Sequence, residues 1–241
     1  LTDEAIRATA SFMAQLSSSG APIVVFDLDG TLADTASDLI ATLNFILQRE
    51  GLDPLPLDEA RDLIGAGARA LIGRGFQAQQ KPLTADHLET LFGAFLDHYG
   101  QNLVVHTKLY PGIVEALDTL AAQGFTLAVC TNKMQDHSRQ LLEALGILDR
   151  FAALAGRDTY PVCKPDPLHL TRTIADAKGD PRRAVLVGDS KTDVDTARAA
   201  AIPVIGVDFG YTDTPMVRLM PDRLISHFDA LVPAVQALIR A

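Results

Sequence analysis

The sequence predicts an α/β fold, a Rossmann-like parallel sheet with helices on both faces, plus an inserted small all-helical cap domain. Three observations lead there. Short unbroken apolar runs, of the kind buried inside parallel sheets, recur along the chain. Helical patterns that stop at glycine separate them. One long stretch, from about Asp34 to Leu109, carries helical patterns and no convincing strand.

Taken in order, Thr2 to Leu16 sets Ile6, Ala10, Met13 and Leu16 at helical spacing and reads as a leader helix, ended by Ser17-Ser18-Ser19-Gly20. Ile23-Val24-Val25-Phe26 is the first strand. Later strands are expected at Phe125–Cys130, Ala184–Val187 and Pro203–Val207, with a weaker one over Phe151–Ala155. Between them, Ile113–Ala122 stops at Gly124, Ser138–Leu145 stops at Gly146, and Thr192–Ala201 is Ala-rich. Asp166 is placed to cap a helix whose first turn holds Pro167, where a missing N–H costs nothing. This alternation requires right-handed crossovers and a sheet covered on both sides. The strand-free stretch holds helical patterns at Thr35–Glu50, Leu57–Ile64, Ala68–Gln80 and Thr84–Gly100, punctuated by Gly and Pro. The expected division is a discontinuous core of residues 1–33 and 109–241, with a helical insert at 34–108.

The 241 residues, 48% of them hydrophobic, suffice for one large core with an insert. A formal charge of −9 argues against nucleic-acid binding, which calls for a basic face. Two cysteines, Cys130 and Cys163, make no disulfide framework and read as thiols of a reducing compartment. No apolar run approaches the roughly eighteen residues of a membrane span. Asp3 and Glu4, with no apolar signal core behind them, suggest no secretory leader, so a cytoplasmic location is expected. The start at Leu1 rather than Met suggests trimming upstream.

Ligands of open parallel sheets sit beyond the carboxyl ends of the strands, so those ends hold the candidate chemistry. After the first strand comes Asp27-Leu28-Asp29-Gly30-Thr31, whose two acids lie two residues apart and converge. Converging carboxylates repel unless a cation separates them. The second strand end gives Thr131-Asn132-Lys133, a hydroxyl and an amide suited to phosphate oxygens beside a helix start. Beyond the third strand comes Lys164-Pro165, the proline holding an extended cation. The fourth gives Gly188-Asp189-Ser190-Lys191-Thr192-Asp193, with Asp189 and Asp193 a turn apart, a like-charge pair that a metal would turn favourable.

Each element has a plainer reading. Asp189 serves as an ordinary N-cap, Thr131 as a capping hydroxyl, Lys164 as a solvated loop cation, and Asp27 and Asp29 as turn formers. Their coincidence at four successive strand ends outweighs these readings. Chemistry then assigns roles. A phosphomonoester dianion repels a carboxylate nucleophile until a cation neutralises the charge, and Mg²⁺ does so with few protein oxygens. Asp27 is the expected nucleophile, forming an aspartyl-phosphate, with Asp29 as acid and then base.

Together, Asp27-Leu28-Asp29-Gly30-Thr31, Thr131, Lys164 and Gly188-Asp189-Ser190 through Asp193 resemble the four motifs of the haloacid dehalogenase superfamily, over Ile23 to Val207. That resemblance implies that Asp27, the main-chain oxygen of Asp29, and Asp189 hold Mg²⁺, with Gly188 and Asp193 supporting them. It also implies that the insert is a cap closing over substrate. Within the superfamily the chain is most similar to bacterial phosphoglycolate phosphatases. The residues concerned are Ile64-Gly65-Ala66-Gly67, Tyr110-Pro111-Gly112, Thr131-Asn132-Lys133, Cys163-Lys164-Pro165-Asp166-Pro167, Gly210-Tyr211 and Ile225-Ser226-His227-Phe228-Asp229. The implied substrate is a small phosphomonoester, 2-phosphoglycolate first. Thr131, Asn132, Lys164 and the N–H groups after Gly65 and Gly67 would bind it, and Arg69 and Arg74 are candidates for its carboxylate. Other readings are a sugar-phosphate phosphatase, a phosphosugar mutase, or a phospho-accepting switch of the receiver kind.

Overall fold

The computed structural model describes residues 20–239, so the expected leader helix over Thr2–Leu16 lies outside the described residues. Six strands form one parallel sheet. In chain order they are β1 (Ala21–Phe26), β4 (Thr126–Cys130), β5 (Ala153–Ala155), β6 (Gly179–Gly188), β7 (Val204–Val207) and β8 (Arg223–Ile225), and in space they run β5-β4-β1-β6-β7-β8. β1 therefore lies centrally between β4 and β6, with Phe26 level with Val129 and Val187. Its carboxyl end opens into a crevice flanked by two neighbouring strand ends.

The alternation of a pleated strand sorts its apolar residues onto two faces. Val24 and Phe26 of β1, Leu127 and Val129 of β4, and Val185 and Val187 of β6 join one buried cluster. Ile23 and Val25, Ala128 and Cys130, and Ala184 and Leu186 join the other. Both faces are covered by helices, the expected outcome for unbroken apolar runs.

The insert carries α1 (Ala36–Arg49), α2 (Leu57–Ala60), α3 (Ala68–Ala78) and α4 (Ala85–Gln101). A third apolar cluster packs them together through Leu43, Ile72 and Phe95, and reaches the core through Tyr211. The 57–64 pattern splits into α2 and a 3-10 turn at Arg61–Leu63. Its two crossings to the core are paired: β2 (Ala33–Asp34) lies antiparallel to β3 (Lys108–Leu109). Buried Asp38 accepts hydrogen bonds from the N–H groups of Val105, His106 and Thr107 and from Thr107 Oγ1, which ties the returning strand to α1.

The remaining helices are α5 (Ile113–Ala122), α6 (Gln135–Ala144), α7 (Pro167–Asp176), α8 (Lys191–Ala199), α9 (Met216–Leu219) and α10 (Leu231–Ile239). Asp166 caps α7 through Leu168 N at 2.8 Å, with Pro167 in the first turn. Strand β8 was not expected. It is a three-residue edge strand with two exposed residues, too short and polar to leave an apolar run. Strand β6 begins five residues earlier than its apolar run, because Gly179–Arg183 is largely exposed. Both cysteines are free, Cys130 buried and Cys163 half-buried. Among the described residues, no helix is long and apolar enough to cross a membrane.

Candidate active site

The carboxyl ends of β1, β4 and β6 bring the predicted acids, hydroxyl and lysine together. Asp27 follows β1 directly, its N–H still bound to Val187 O at 2.9 Å, so the sheet fixes its backbone. Its carboxylate is buried, and Lys164 Nζ lies 2.8 Å from its Oδ1. That approach is off the hydrogen-bonding direction, so Oδ1 has a charged neighbour but no hydrogen bond. Burial pushes the Asp27 carboxyl up from the ordinary 3.8 to about 6; Lys164 opposes the rise, while the fields of Asp193 and Asp29 add to it.

Lys164 comes from the loop after β5, and buried His169 fixes its backbone. Nδ1 of His169 accepts the Lys164 N–H at 3.0 Å, and Nε2 donates to Gly156 O at 3.1 Å. Burial and the Lys164 charge push His169 down to about 4, so it is neutral at pH 7 and suited to accepting at one nitrogen. Lys164 Nζ also donates to Asp193 Oδ1 at 2.6 Å.

Asp193 has no solvent exposure. Its Oδ2 accepts from Ser190 N at 3.1 Å and Ser190 Oγ at 2.6 Å, a capping box at the start of α8. Gly188 lets this happen: a Cβ there would lie 2.4 Å from Asp193 Cγ. Asp189 accepts from Thr31 Oγ1 at 3.2 Å and from Tyr211 N at 2.6 Å. Its carboxyl is raised well above the ordinary value by burial, then by the charges of Asp193 and Asp27. Gly30, at φ +81°, clears space beside it, since a Cβ would meet Asp189 Oδ2 at 2.2 Å.

Asp27, Asp189 and Asp193 each offer an oxygen within 4.8 Å of the others. The Asp29 carboxylate is engaged elsewhere. Its Oδ1 accepts from Thr35 Oγ1 at 2.7 Å and Lys133 Nζ at 2.8 Å, and Lys133 also donates to Tyr99 OH of α4 at 2.8 Å. The Lys133 ammonium is held above its ordinary value: Asp29 and Tyr99 outweigh the opposing effect of burial. Burial pushes the Tyr99 phenol up to about 12.

One cavity of about 210 Å³ is lined by Asp27, Asp29, Thr131, Asn132, Lys164, Gly65 and Gly67, so seven predicted residues share a single space between sheet rim and insert. Gly188, Asp189 and Asp193 do not line it, and Asp27 joins the cavity to the acidic cluster. Thr131 is buried, its Oγ1 accepting from Lys133 N at 3.2 Å. Asn132 Nδ2 donates to Lys164 O at 3.0 Å, tying two strand-end loops together.

The arginines behave differently from one another. Arg69 lines the cavity, but Glu89 holds it through two bonds of 2.7 Å, and it stacks on Phe92 with the guanidinium 3.5 Å from the ring centroid. Arg74 lies away from that cavity, with Nη1 on Leu63 O at 3.0 Å and Nη2 3.7 Å from Asp213. Residues that sequence reasoning passed over include Thr35, Tyr99, Arg157, His169 and the hydroxyl of Tyr211, which accepts from Thr35 N at 2.5 Å and Ala36 N at 3.0 Å. Of these only Tyr211 stood in a stretch already noted, Gly210-Tyr211, with no role given to its hydroxyl. The others read as ordinary core or loop residues.

Four carboxylates and two lysines at the rim of a parallel sheet, roofed by helices inserted after the first strand, define a phospho-transfer type of α/β hydrolase site. Residues 24–207 match the family model described as haloacid dehalogenase-like hydrolase, and the chain belongs to that family. It is 49% identical to a phosphoglycolate phosphatase of Mesorhizobium japonicum over 91% of this chain and 97% of that one. It is 46% identical to a phosphoglycolate phosphatase of Agrobacterium fabrum over 89% and 92% of the two chains. The crystal structure of a predicted phosphoglycolate phosphatase from Haemophilus somnus superposes with a TM-score of 0.82 at 32% identity, covering 89% of this chain and 98% of that one.

Proposed function

We propose that the chain is a Mg²⁺-dependent phosphatase that hydrolyses 2-phosphoglycolate to glycolate and phosphate through an aspartyl-phosphate on Asp27. The observation that carries this reading is the setting of Asp27. It is a carboxylate at a central strand end, open to a small cavity, paired to a buried lysine and backed by two further buried acids.

The donor set fits a hard divalent cation. When all are ionised, four carboxylates against Lys133 and Lys164 leave two negative charges uncompensated, and Asp27 Oδ1 is buried without a hydrogen bond. Asp27, the main-chain oxygen of Asp29, and Asp189 would hold the ion, with Asp193 behind them and Gly188 giving Asp193 its room. A bound Mg²⁺ supplies charge that lets a carboxylate approach a phosphoryl dianion.

This chain's residues do the rest. Thr131 and Lys164 hold the phosphoryl group, Asn132 and the N–H groups after Gly65 and Gly67 complete the pocket, and Asp27 attacks phosphorus in line. As the ester oxygen leaves, Asp29 gives it a proton; Asp29 then takes a proton from the water that opens the aspartyl-phosphate, releasing phosphate and restoring Asp27. Lys133 and Thr35 both act on Oδ1 of Asp29 and so aim its carboxyl group. Residues 34–108 act as a cap over a discontinuous core, 1–33 and 109–241, and exclude water from the cavity. The two free cysteines fit a cytoplasmic enzyme.

Support for the substrate comes from the phosphoglycolate phosphatases that the chain resembles over nine-tenths of its length. Phosphate release from a panel of 2-phosphoglycolate, sugar phosphates and nucleotides tests it. A clear preference for 2-phosphoglycolate is expected, with EDTA abolishing turnover and Mg²⁺ restoring it. Equal rates on sugar phosphates would overturn the substrate assignment, and near-wild-type turnover by Asp27→Asn would remove Asp27 as nucleophile.

A further inference from the structure

The cations around the cavity are Arg69, Lys133, Arg157 and Lys164. Three are already matched with carboxylates: Lys164 with Asp27 and Asp193, Lys133 with Asp29, and Arg69 with Glu89. Arg157 makes no ion pair among the described residues. It stands two residues past β5, on the loop that also carries Lys164. Its main-chain N–H donates to Lys133 O at 2.8 Å, fixing the loop against the β4 end. One guanidinium nitrogen, Nη1, donates to the sulfur of Cys163 at 3.2 Å. Nη1 also faces the insert, since a Cβ built on Gly67 would lie 4.0 Å from it. A guanidinium presents five N–H donors in a rigid fork. Here only the bond to Cys163 is made among the described residues, and the rest of the fork is uncommitted at the wall of the reaction cavity. His137, also at that wall, is pushed below its ordinary value by burial and then by Lys133.

We infer that Arg157 is the specificity-determining residue that pairs with a second anionic group, a carboxylate, at the far end of a short phosphomonoester. The inference rests on the phosphatase reading above and shifts the carboxylate partner from Arg69 and Arg74 to a core residue that the sequence did not single out. The physical ground is competition. A substrate carboxylate taking Arg69 must displace Glu89 from a bidentate pair, whereas Arg157 holds no carboxylate among the described residues and has only its bond to Cys163 already made. The position of Arg157 against Gly67 puts its contact where insert and core meet, so the same ion pair rewards closure around the correct substrate.

The test compares 2-phosphoglycolate with 2-hydroxyethyl phosphate, which keeps the ester and replaces the carboxylate by a neutral hydroxymethyl group. Wild type is expected to favour 2-phosphoglycolate in kcat/KM by at least about tenfold, the scale of a lost charged hydrogen bond. Arg157→Gln is expected to remove about tenfold of kcat/KM on 2-phosphoglycolate, mostly through KM, and to leave 2-hydroxyethyl phosphate within about threefold. Arg157→Lys should recover part of the preference, and Arg69→Gln should keep it. A wild type indifferent between the two esters overturns the substrate reading. A wild type that prefers 2-phosphoglycolate while Arg157→Gln keeps that preference, or loses both substrates equally, overturns the role of Arg157 alone.

Discussion

Replacing the nucleophile should stabilise the metal-free protein. Asp27 is buried, and its carboxyl titrates near 6 in the folded chain against 3.8 in the open one. A folded value above the unfolded one means that the native state binds the proton more tightly. The associated stability is complete below about pH 4 and is lost as pH rises through 6. The gap is roughly two pH units at about 1.36 kcal/mol each, so ionised Asp27 costs the apo fold about 3 kcal/mol at pH 8. Asn resembles the protonated acid in shape and does not ionise. Asp27→Asn is therefore expected to be more stable than wild type by about 2–3 kcal/mol at pH 8 in EDTA, or roughly 4–12 °C in Tm for a chain of this size. Lys164 limits the gain, because it loses one of its two anionic partners and keeps Asp193. Thermal denaturation of both proteins at pH 4, 5, 6, 7 and 8 reads this directly. The difference should open between pH 4 and 6 and stay level above. An Asp27→Asn protein less stable than wild type at pH 8, or a gap indifferent to pH, would refute the reasoning.

Other outcomes follow from single contacts. Lys133→Met removes the ammonium that joins Asp29 to Tyr99, and is expected to cost about 1–3 kcal/mol of stability and to lower kcat more than it raises KM; chemical denaturation and steady-state kinetics separate the two effects. Tyr211→Phe leaves the Thr35 N–H at the start of the insert without its acceptor and the Ala36 N–H with only Asp34 Oδ1 at 3.3 Å, a loss of about 1–3 kcal/mol seen as a lower denaturation midpoint. His169→Phe removes the acceptor for Lys164 N–H, and should depress kcat while adding nothing at the substrate itself.

Much of this arrangement was legible before any coordinate. Short, β-branched continuous apolar runs suit strands buried on both faces of a sheet, and that signal is local, so Ile23–Phe26 and Ala184–Val187 declared themselves. Chemistry concentrated at strand ends was legible for the same reason: Asp27, Thr131, Lys164 and Asp189 each follow a strand or its loop. Strand β8 and the β2–β3 pair were not, because two or three residues held by main-chain bonds leave no side-chain pattern.

What the sequence determined by itself was the inner strands of the sheet, the strand-free helical stretch after the first of them, and the acids, hydroxyl and lysine at the strand ends. Tertiary structure alone decided how those groups are partnered. Lys133 and Asp29 are 104 positions apart, Lys164 and Asp193 29, and Arg69 meets Glu89 across two helices. Periodicity reports which face of an element is buried, but the strength of an ion pair depends on distance and on the water excluded around it. Both quantities come into being only when the segments pack, and so it was packing that engaged Arg69 and left Arg157 at the wall of the cavity.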